Sequence, residues 1–283
     1  MSLKLLITNL KQETKSKPEI KGNNIESKNI LSFKKKYNYV INLNRRKDRW
    51  DNFLNKIKGT SLEKEDFIRI EAFDALFYQK ELIRLSTNNF VLNLFKLFKK
   101  NNISFMKPGE LGCLLSHVIT LQEIIKNENI NEDEYVTIYE DDFEYCENFE
   151  KNYEILKNIK IENINVDFIY IGGRNSKNFN IKHKLFMSTT DDNLFFRQNN
   201  FSNIDRYNYD RGTFSYIVKK SSCNKILNNI KGAIENNVKL IAIDHIYTKN
   251  MKEIQMFDFL PHLYYSTLIV DSDVQKIIKP IHF

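Results

Sequence analysis

The segment Tyr135-Val136-Thr137-Ile138-Tyr139 runs without a break into Glu140-Asp141-Asp142. An aromatic and β-branched run this short, bounded by charge, predicts a buried strand rather than a helix. In open α/β sheets, ligands bind outside the carboxyl ends of strands, where this triplet would sit. Three adjacent carboxylates repel one another, and a divalent cation is the usual relief; oxygen-only ligands suit Mg²⁺ or Mn²⁺. Side chains alternate along an extended segment, so Glu140 and Asp142 are expected to face one way and Asp141 the other. An acidic turn capping the next element is the bland alternative, and local sequence leaves both open.

The rest of the chain supplies partners for that strand. Tyr37–Leu43 reads as a strand, and Asn44-Arg45-Arg46-Lys47-Asp48-Arg49 opens a helix with Trp50, Phe53, Leu54 and Ile57 on one side. Phe67–Phe73 alternates as a second strand. Residues 75–106 form a helical, aromatic-rich stretch with Phe90, Leu94, Phe95 and Phe98. Pro108-Gly109-Glu110 starts the clearest helix, in which Leu111, Leu114, Val118, Leu121 and Ile125 make a core-facing stripe. Val166–Ile171, closed by Gly172-Gly173, and Thr213–Val218 read as strands, the latter followed by a helix over 221–230. Short apolar strands separated by helices predict an α/β fold with a mostly parallel central sheet.

Composition sets the limits of this reading. Hydrophobic residues make up 42% of the 283, enough for a core, which excludes global disorder, collagen and coiled coil. Residues 1–36 are polar and Lys/Asn-rich and read as a flexible or loosely docked leader; 37–283 reads as one domain with a helical insertion around 75–108. The net charge of +7 favours anionic partners, solvated lysines being the plainer explanation. Cys113, Cys146 and Cys223 are scattered without a C-x-x-C pair, which fits a reducing compartment. The opening residues lack a full apolar region and a small-residue cleavage site, and no apolar run approaches the ~18 residues of a membrane span. A cytoplasmic protein is expected, with peripheral contact at an anionic inner membrane face.

Two further motifs carry chemistry. Asn42-Leu43-Asn44-Arg45-Arg46 and Asp48-Arg49 follow the first strand, where arginines near a helix N-terminus can hold phosphate; an exposed helix start is the alternative. His117, in Gly109-Glu110-Leu111-Gly112-Cys113-Leu114-Leu115-Ser116-His117, lies beside the apolar stripe, where a lone helix histidine is more often a satisfied core or capping residue than a functional one. Asp244-His245 is either an acid/base pair or another strand end.

Taken together and in this order, the motifs resemble glycosyltransferase family 25, the group containing lipooligosaccharide galactosyltransferases and collagen hydroxylysine galactosyltransferases. The matching stretches are VINLNRRKDRW (40–50), IEAFDA (70–75), GELGCLLSHVITLQEII (109–125) and YVTIYEDD (135–142). GTFSYIVKKSSCNKIL (212–227), AIDHIY (242–247) and DSDV (271–274) complete them. Asn44 departs from the acidic residue often found there, and Phe73-Asp74-Ala75 stands where Val-Asp-Gly is usual.

The resemblance implies a GT-A type, Rossmann-like sandwich and inverting transfer of a hexose, galactose or glucose, from a nucleotide-diphosphate sugar, with UDP the expected nucleotide. The acceptor would be a glycan, a lipid-linked saccharide or a protein hydroxylysine. Asp142, with Glu140, would hold Mn²⁺ (or Mg²⁺). Asp141 would orient the ribose or the donor sugar; Asn42, Leu43, Arg45, Arg49, Ala72, Asp74, Ser116 and His117 would line the donor. Asp244 is the first candidate for the base that takes the acceptor proton and Asp210 the second. The rivals are a metal-dependent phosphoryl-transfer enzyme or nuclease, and a non-catalytic basic binding module. Neither is favoured, because phosphodiester chemistry usually gathers acids from several strands and a phosphate-binding surface would not carry an acidic triplet; no nucleic-acid partner is expected.

Overall fold

The structure, a computed structural model, describes residues 37–105, 107–159, 165–173, 186–188, 193–197, 213–236, 242–249, 251–265 and 281–282. The leader, Asp210 and the 271–274 motif lie outside the described residues. The elements run β1 (Asn38–Asn42), α1 (Lys47–Ile57), β2 (Phe67–Glu71), α2 (Tyr78–Arg84), α3 (Asn89–Lys100), β3 (Ser104–Phe105), α4 (Pro108–Lys126) and β4 (Tyr135–Glu140). There follow β5 (Glu144–Tyr145), α5 (Phe149–Lys157), β6 (Phe168–Tyr170), β7 (Gly172–Gly173), β8 (Phe186–Ser188) and β9 (Leu194–Arg197). The last described elements are β10 (Ser215–Lys219), α6 (Lys220–Glu235), α7 (Ile243–Lys249), β11 (Met256–Phe259), β12 (Tyr264–Tyr265) and β13 (Ile281–His282). Single 3₁₀ turns occupy Ser61–Lys64 and Ala75–Phe77.

Alternation along the strands builds the core on both faces of one sheet. On β1, Tyr39 and Ile41 join one apolar cluster and Val40 the other; β10 divides Tyr216 and Val218 from Ile217, and β6 divides Phe168 and Tyr170 from Ile169. Such strands need cover on both sides, which α3, α4, α6 and α7 supply on one face and α1 and α5 on the other. The strand order is β2-β1-β4-β10-β6-β11-β9-β8. β10 and β9 run against their neighbours, so six of the eight strands point one way. The sheet is therefore mixed, and mostly parallel in the sense of strand direction.

Register brings the functional segments together. Ile41 of β1 pairs with Glu140 of β4, and Asn42 with Glu71 of β2. The carboxyl ends of these three parallel strands thus lie side by side, each followed by one of the motifs read from sequence.

Burial extends beyond the expected apolar positions in two segments. The apolar stripe of α4 becomes nearly all-round burial: Ser116, His117 and Thr120 are buried along with Leu114, Val118 and Leu121. Contacts with α3, α6 and α7 add to those with the sheet, and His117 itself reaches Glu140 of β4 and Tyr216 of β10. The buried hydroxyls bond back along the helix, Ser116 to the Gly112 carbonyl at 2.6 Å and Thr120 to the Ser116 carbonyl at 2.8 Å. The helical stretch around 75–108 contributes to the main core through Val91, Leu94 and Phe98. Edge-on ring contacts link Tyr78, Phe95, Phe98 and Phe105 through it. No helix among the described residues is long and apolar enough to cross a membrane.

Candidate active site

A cleft opens at the carboxyl ends of β1, β2 and β4. One wall is acidic, formed by Glu140, Asp141 and Asp142. Facing it are Arg45 and Arg49 from the β1–α1 connection, the 72–76 segment after β2, and Gly109, Gly112, Cys113, Ser116 and His117 from α4. The close fit of α4 to the 72–76 segment depends on Gly112, because a Cβ there would stand 2.9 Å from the Phe73 carbonyl oxygen. Ser116 ties the same joint, accepting a hydrogen bond from the Phe73 amide at 2.9 Å.

The triplet does not alternate as expected. β4 ends at Glu140, and Asp141 and Asp142 lie in a turn, free of the strand's two-residue period. Both therefore meet one guanidinium: Arg49 Nη2 is 2.9 Å from Asp141 and 2.6 Å from Asp142 Oδ2. Asn42 donates to the other oxygen of Asp141. Asp142 Oδ1 is buried and takes no hydrogen bond. Burial lifts the Asp141 carboxyl to about 6 despite Arg49, and burial together with the Glu140 charge pushes Asp142 up as well. For Glu140, burial is the largest influence and would raise it, but His117, Thr213 and Arg49 together outweigh it and leave it below its ordinary value.

His117 joins the acidic wall to the core. Its Nε2 lies 3.2 Å from Glu140 Oε1 and its Nδ1 is 2.8 Å from the Tyr216 hydroxyl. A carboxylate can only accept, so Nε2 donates to Glu140, and the Tyr216 hydroxyl, which can donate or accept, partners Nδ1. Thr213 also donates to Glu140 Oε1, and Cys113 Sγ is 3.8 Å from it. Cys113, His117 and Glu140 place one ligand atom each within 4.8 Å of one another, a possible metal-holding group. Burial, reinforced by Glu140 and Asp244, raises the Cys113 thiol well above its usual range.

A strand-end acidic triplet facing arginines at a helix start, with Gly-x-x-Gly-Cys-x-x-Ser-His on the roof, is the constellation read from the sequence. The sequence model described as "Glycosyltransferase family 25 (LPS biosynthesis protein)" matches residues 35–247. The chain belongs to glycosyltransferase family 25. It is a glycosyltransferase, and family membership implies a sugar donor and an acceptor. No curated protein matches it.

For a family 25 enzyme, the structure gathers most of the expected residues in one place. Leu43, Arg45, Arg49, Ala72, Asp74, Ser116, His117, Glu140, Asp141 and Asp142 all line the cleft. Asn42 stands behind it, buried, holding Asp141 and accepting from Arg69 Nε at 2.8 Å. Arg45 is paired with Asp74 at 2.6 Å, and Asp74 also caps the 3₁₀ turn through the Leu76 amide. Asp244 does not line the cleft. It lies in the first turn of α7, half-buried, and its charge reaches Cys113. The reading of Asp244-His245 as a strand end is corrected, since the pair opens a helix through amide bonds to the Ala242 carbonyl. Sequence reasoning assigned no role to Cys113, Thr213 or Tyr216. The four-residue spacing of Cys113 and His117, one helical turn, was the available signal for the first. Tyr216 lies in β10 and Thr213 just before it, 99 and 73 residues from their partners.

Proposed function

We propose that this enzyme transfers a hexose, galactose or glucose, with inversion from a UDP-sugar to a saccharide or hydroxylysine acceptor on a GT-A type scaffold. The observation that carries the reading is the buried Asp142 oxygen without a hydrogen bond in a cleft shared by four carboxylates and two arginines. A buried acceptor left open costs stability unless something binds it. The residues fit a hard divalent ion: Asp142 would hold Mn²⁺ (or Mg²⁺), with Glu140 as second contact. When bound, the ion supplies Lewis-acid stabilisation to the departing nucleotide diphosphate.

The remaining roles belong to the chain. Arg49 neutralises Asp141 and Asp142 and stands where a diphosphate would add negative charge; Arg45, fixed by Asp74, presents a second guanidinium to it. The apolar 72–73 segment and Leu43 shape the nucleoside side, and Asp141, set by Asn42, orients ribose or sugar. Inversion needs a base opposite the leaving group. Asp244 takes that role in our reading, supported by its proximity to the Cys113 wall, with Asp210 the alternative.

The test is a panel of nucleotide sugars scored for thermal shift and hydrolysis with and without Mn²⁺. A UDP-hexose that stabilises the protein and turns over only with metal supports the reading; full turnover in EDTA contradicts it. For Asp244→Asn, donor-induced stabilisation should survive while transfer falls by at least about a hundredfold. Loss of donor binding instead would move Asp244 into the donor site.

A further inference from the structure

Among the described residues, four large apolar side chains are exposed: Ile68, Leu76, Phe77 and Ile83. Three of them fall between residues 76 and 83, and Ile83 is 75% exposed. They belong to the 3₁₀ turn and α2, at the edge of the cleft that Leu76 also lines. The helix does not divide apolar from polar side chains in the usual way. Its inward side carries Glu81 and the following Leu85, both buried, while Phe77, Lys80, Ile83 and Arg84 face solvent. Spacings of three and four put Phe77, Lys80 and Arg84 on one side, and Lys80 Nζ lies 5.3 Å from the centre of the Phe77 ring. Arg84 is already bonded to Glu81. The exposed face is thus apolar side chains interleaved with cations and no uncompensated acid.

Charge is segregated in the same way. Residues 75–107 hold six cations (Lys80, Arg84, Lys96, Lys99, Lys100 and Lys107) against Glu81 alone. Residues 1–36 hold nine lysines against three glutamates. The net +7 of the chain is therefore exceeded by these two segments together, and the remainder is acidic overall.

We infer that the outer face of residues 76–84 docks on an anionic lipid surface, with Phe77 and Ile83 entering the acyl boundary and Lys80 meeting headgroup phosphates. A soluble anion would satisfy the cations and leave Ile83 and Phe77 in water. A second copy would set Lys80 against cations of the same kind, and the leader is itself basic, so neither complements this face. An anionic bilayer answers both features at once, because apolar burial and cation attraction add there. The position of Leu76 on the cleft rim turns the opening toward that surface, so a membrane-borne acceptor would arrive beside the acidic wall.

The experiment is co-sedimentation of the full chain with phosphatidylcholine vesicles made with and without phosphatidylglycerol. The wild type should pellet only with the anionic vesicles, and less at high salt. Phe77→Asp/Ile83→Asp should weaken binding by at least about tenfold, and Lys80→Glu by less, with thermal melting and donor hydrolysis unchanged. Ile83→Asp alone covers the case in which the double variant fails to fold. Wild type that stays in solution, pellets equally with neutral vesicles, or binds undiminished after Ile83→Asp would overturn the proposal. So would displacement by inorganic phosphate at constant ionic strength, or a dimer in sedimentation equilibrium that Ile83→Asp dissociates. Because donor hydrolysis is read separately, failure of docking is distinguishable from failure of the transferase reading.

Discussion

The two edges of the same sheet both bury carboxylates, and they treat them differently. At the amino edge, Asp167 precedes β6 and Glu65 precedes β2. Asp167 accepts the Ser222 hydroxyl on one oxygen and the Gln255 amide on the other at 2.8 Å. Glu65 accepts from Asn38 at 2.9 Å and from the Tyr153 hydroxyl. At the carboxyl edge, Asp142 Oδ1 is buried with no donor, and Asp141 is lifted to about 6 chiefly by burial. Both edges contain acids that sequence alone would rank alike. What separates them is how the oxygens are met after folding: each carboxylate oxygen of Asp167 and Glu65 has a donor, and at the carboxyl edge one oxygen of Asp142 has none and stays open for a ligand.

Asp142→Ala tests that distinction hardest. Transfer should fall by at least about a thousandfold, because the open oxygen is the one assigned to the ion. The melting temperature should be unchanged or higher, since a buried carboxylate repelled by Glu140 has been removed. Parallel melts and initial rates in the presence of Mn²⁺ decide it; a large loss of stability with activity retained would show that the two edges do not differ. Asp167→Ala is the mirror experiment. It leaves the Ser222 hydroxyl and Gln255 amide without their acceptor in a buried place, at a cost of about 2–4 kcal/mol in denaturant unfolding. Specific activity of the folded fraction should stay within about twofold.

Gly112→Ala gives a smaller effect that falls on both sides of the comparison. The added methyl meets the Phe73 carbonyl oxygen at 2.9 Å, so α4 or the 72–76 segment must shift by a few tenths of an ångström. A cost of about 1–3 kcal/mol is expected, together with a several-fold rise in donor KM at nearly constant kcat. A drop in kcat alone would mean that the joint positions the reacting groups rather than the nucleoside pocket.

The strands and helices around the cleft were legible because their signals are local. YVTIY followed by acids, Phe67–Phe73 and the Pro108 helix start each carry their own pattern within a few residues. The reversed β10 was not, since an antiparallel strand between two parallel blocks is decided by chain connections rather than by its composition. The orientation of Asp141 failed for a physical reason: the period of two stops where the strand stops, and the turn brings both aspartates to Arg49. The network behind Glu140 was out of reach because Tyr216 of β10 and Thr213 just before that strand arrive from far along the chain. Sequence gave His117 a place near the donor but could not supply the partners that keep it there.

Those partners define the mildest test. Tyr216 stacks on Phe168 with ring centres 4.6 Å apart, and its hydroxyl lies 2.8 Å from His117 Nδ1 and 3.2 Å from the Tyr247 hydroxyl. Tyr216→Phe keeps the ring and its packing while removing the hydroxyl that partners both His117 and Tyr247. Two hydrogen bonds are lost, about 1–3 kcal/mol of stability, and activity should drop only about threefold. The informative readout is the imidazole itself: nitrogen chemical shifts should show Nδ1 losing its hydrogen-bond partner while Nε2 keeps its proton toward Glu140. A positioning role for His117 requires that the shift change and the rate barely move. If Tyr216→Phe instead disables transfer as thoroughly as Asp142→Ala, His117 acts on the reacting atoms, and the open chemistry of the carboxyl edge extends through the imidazole rather than stopping at the carboxylates.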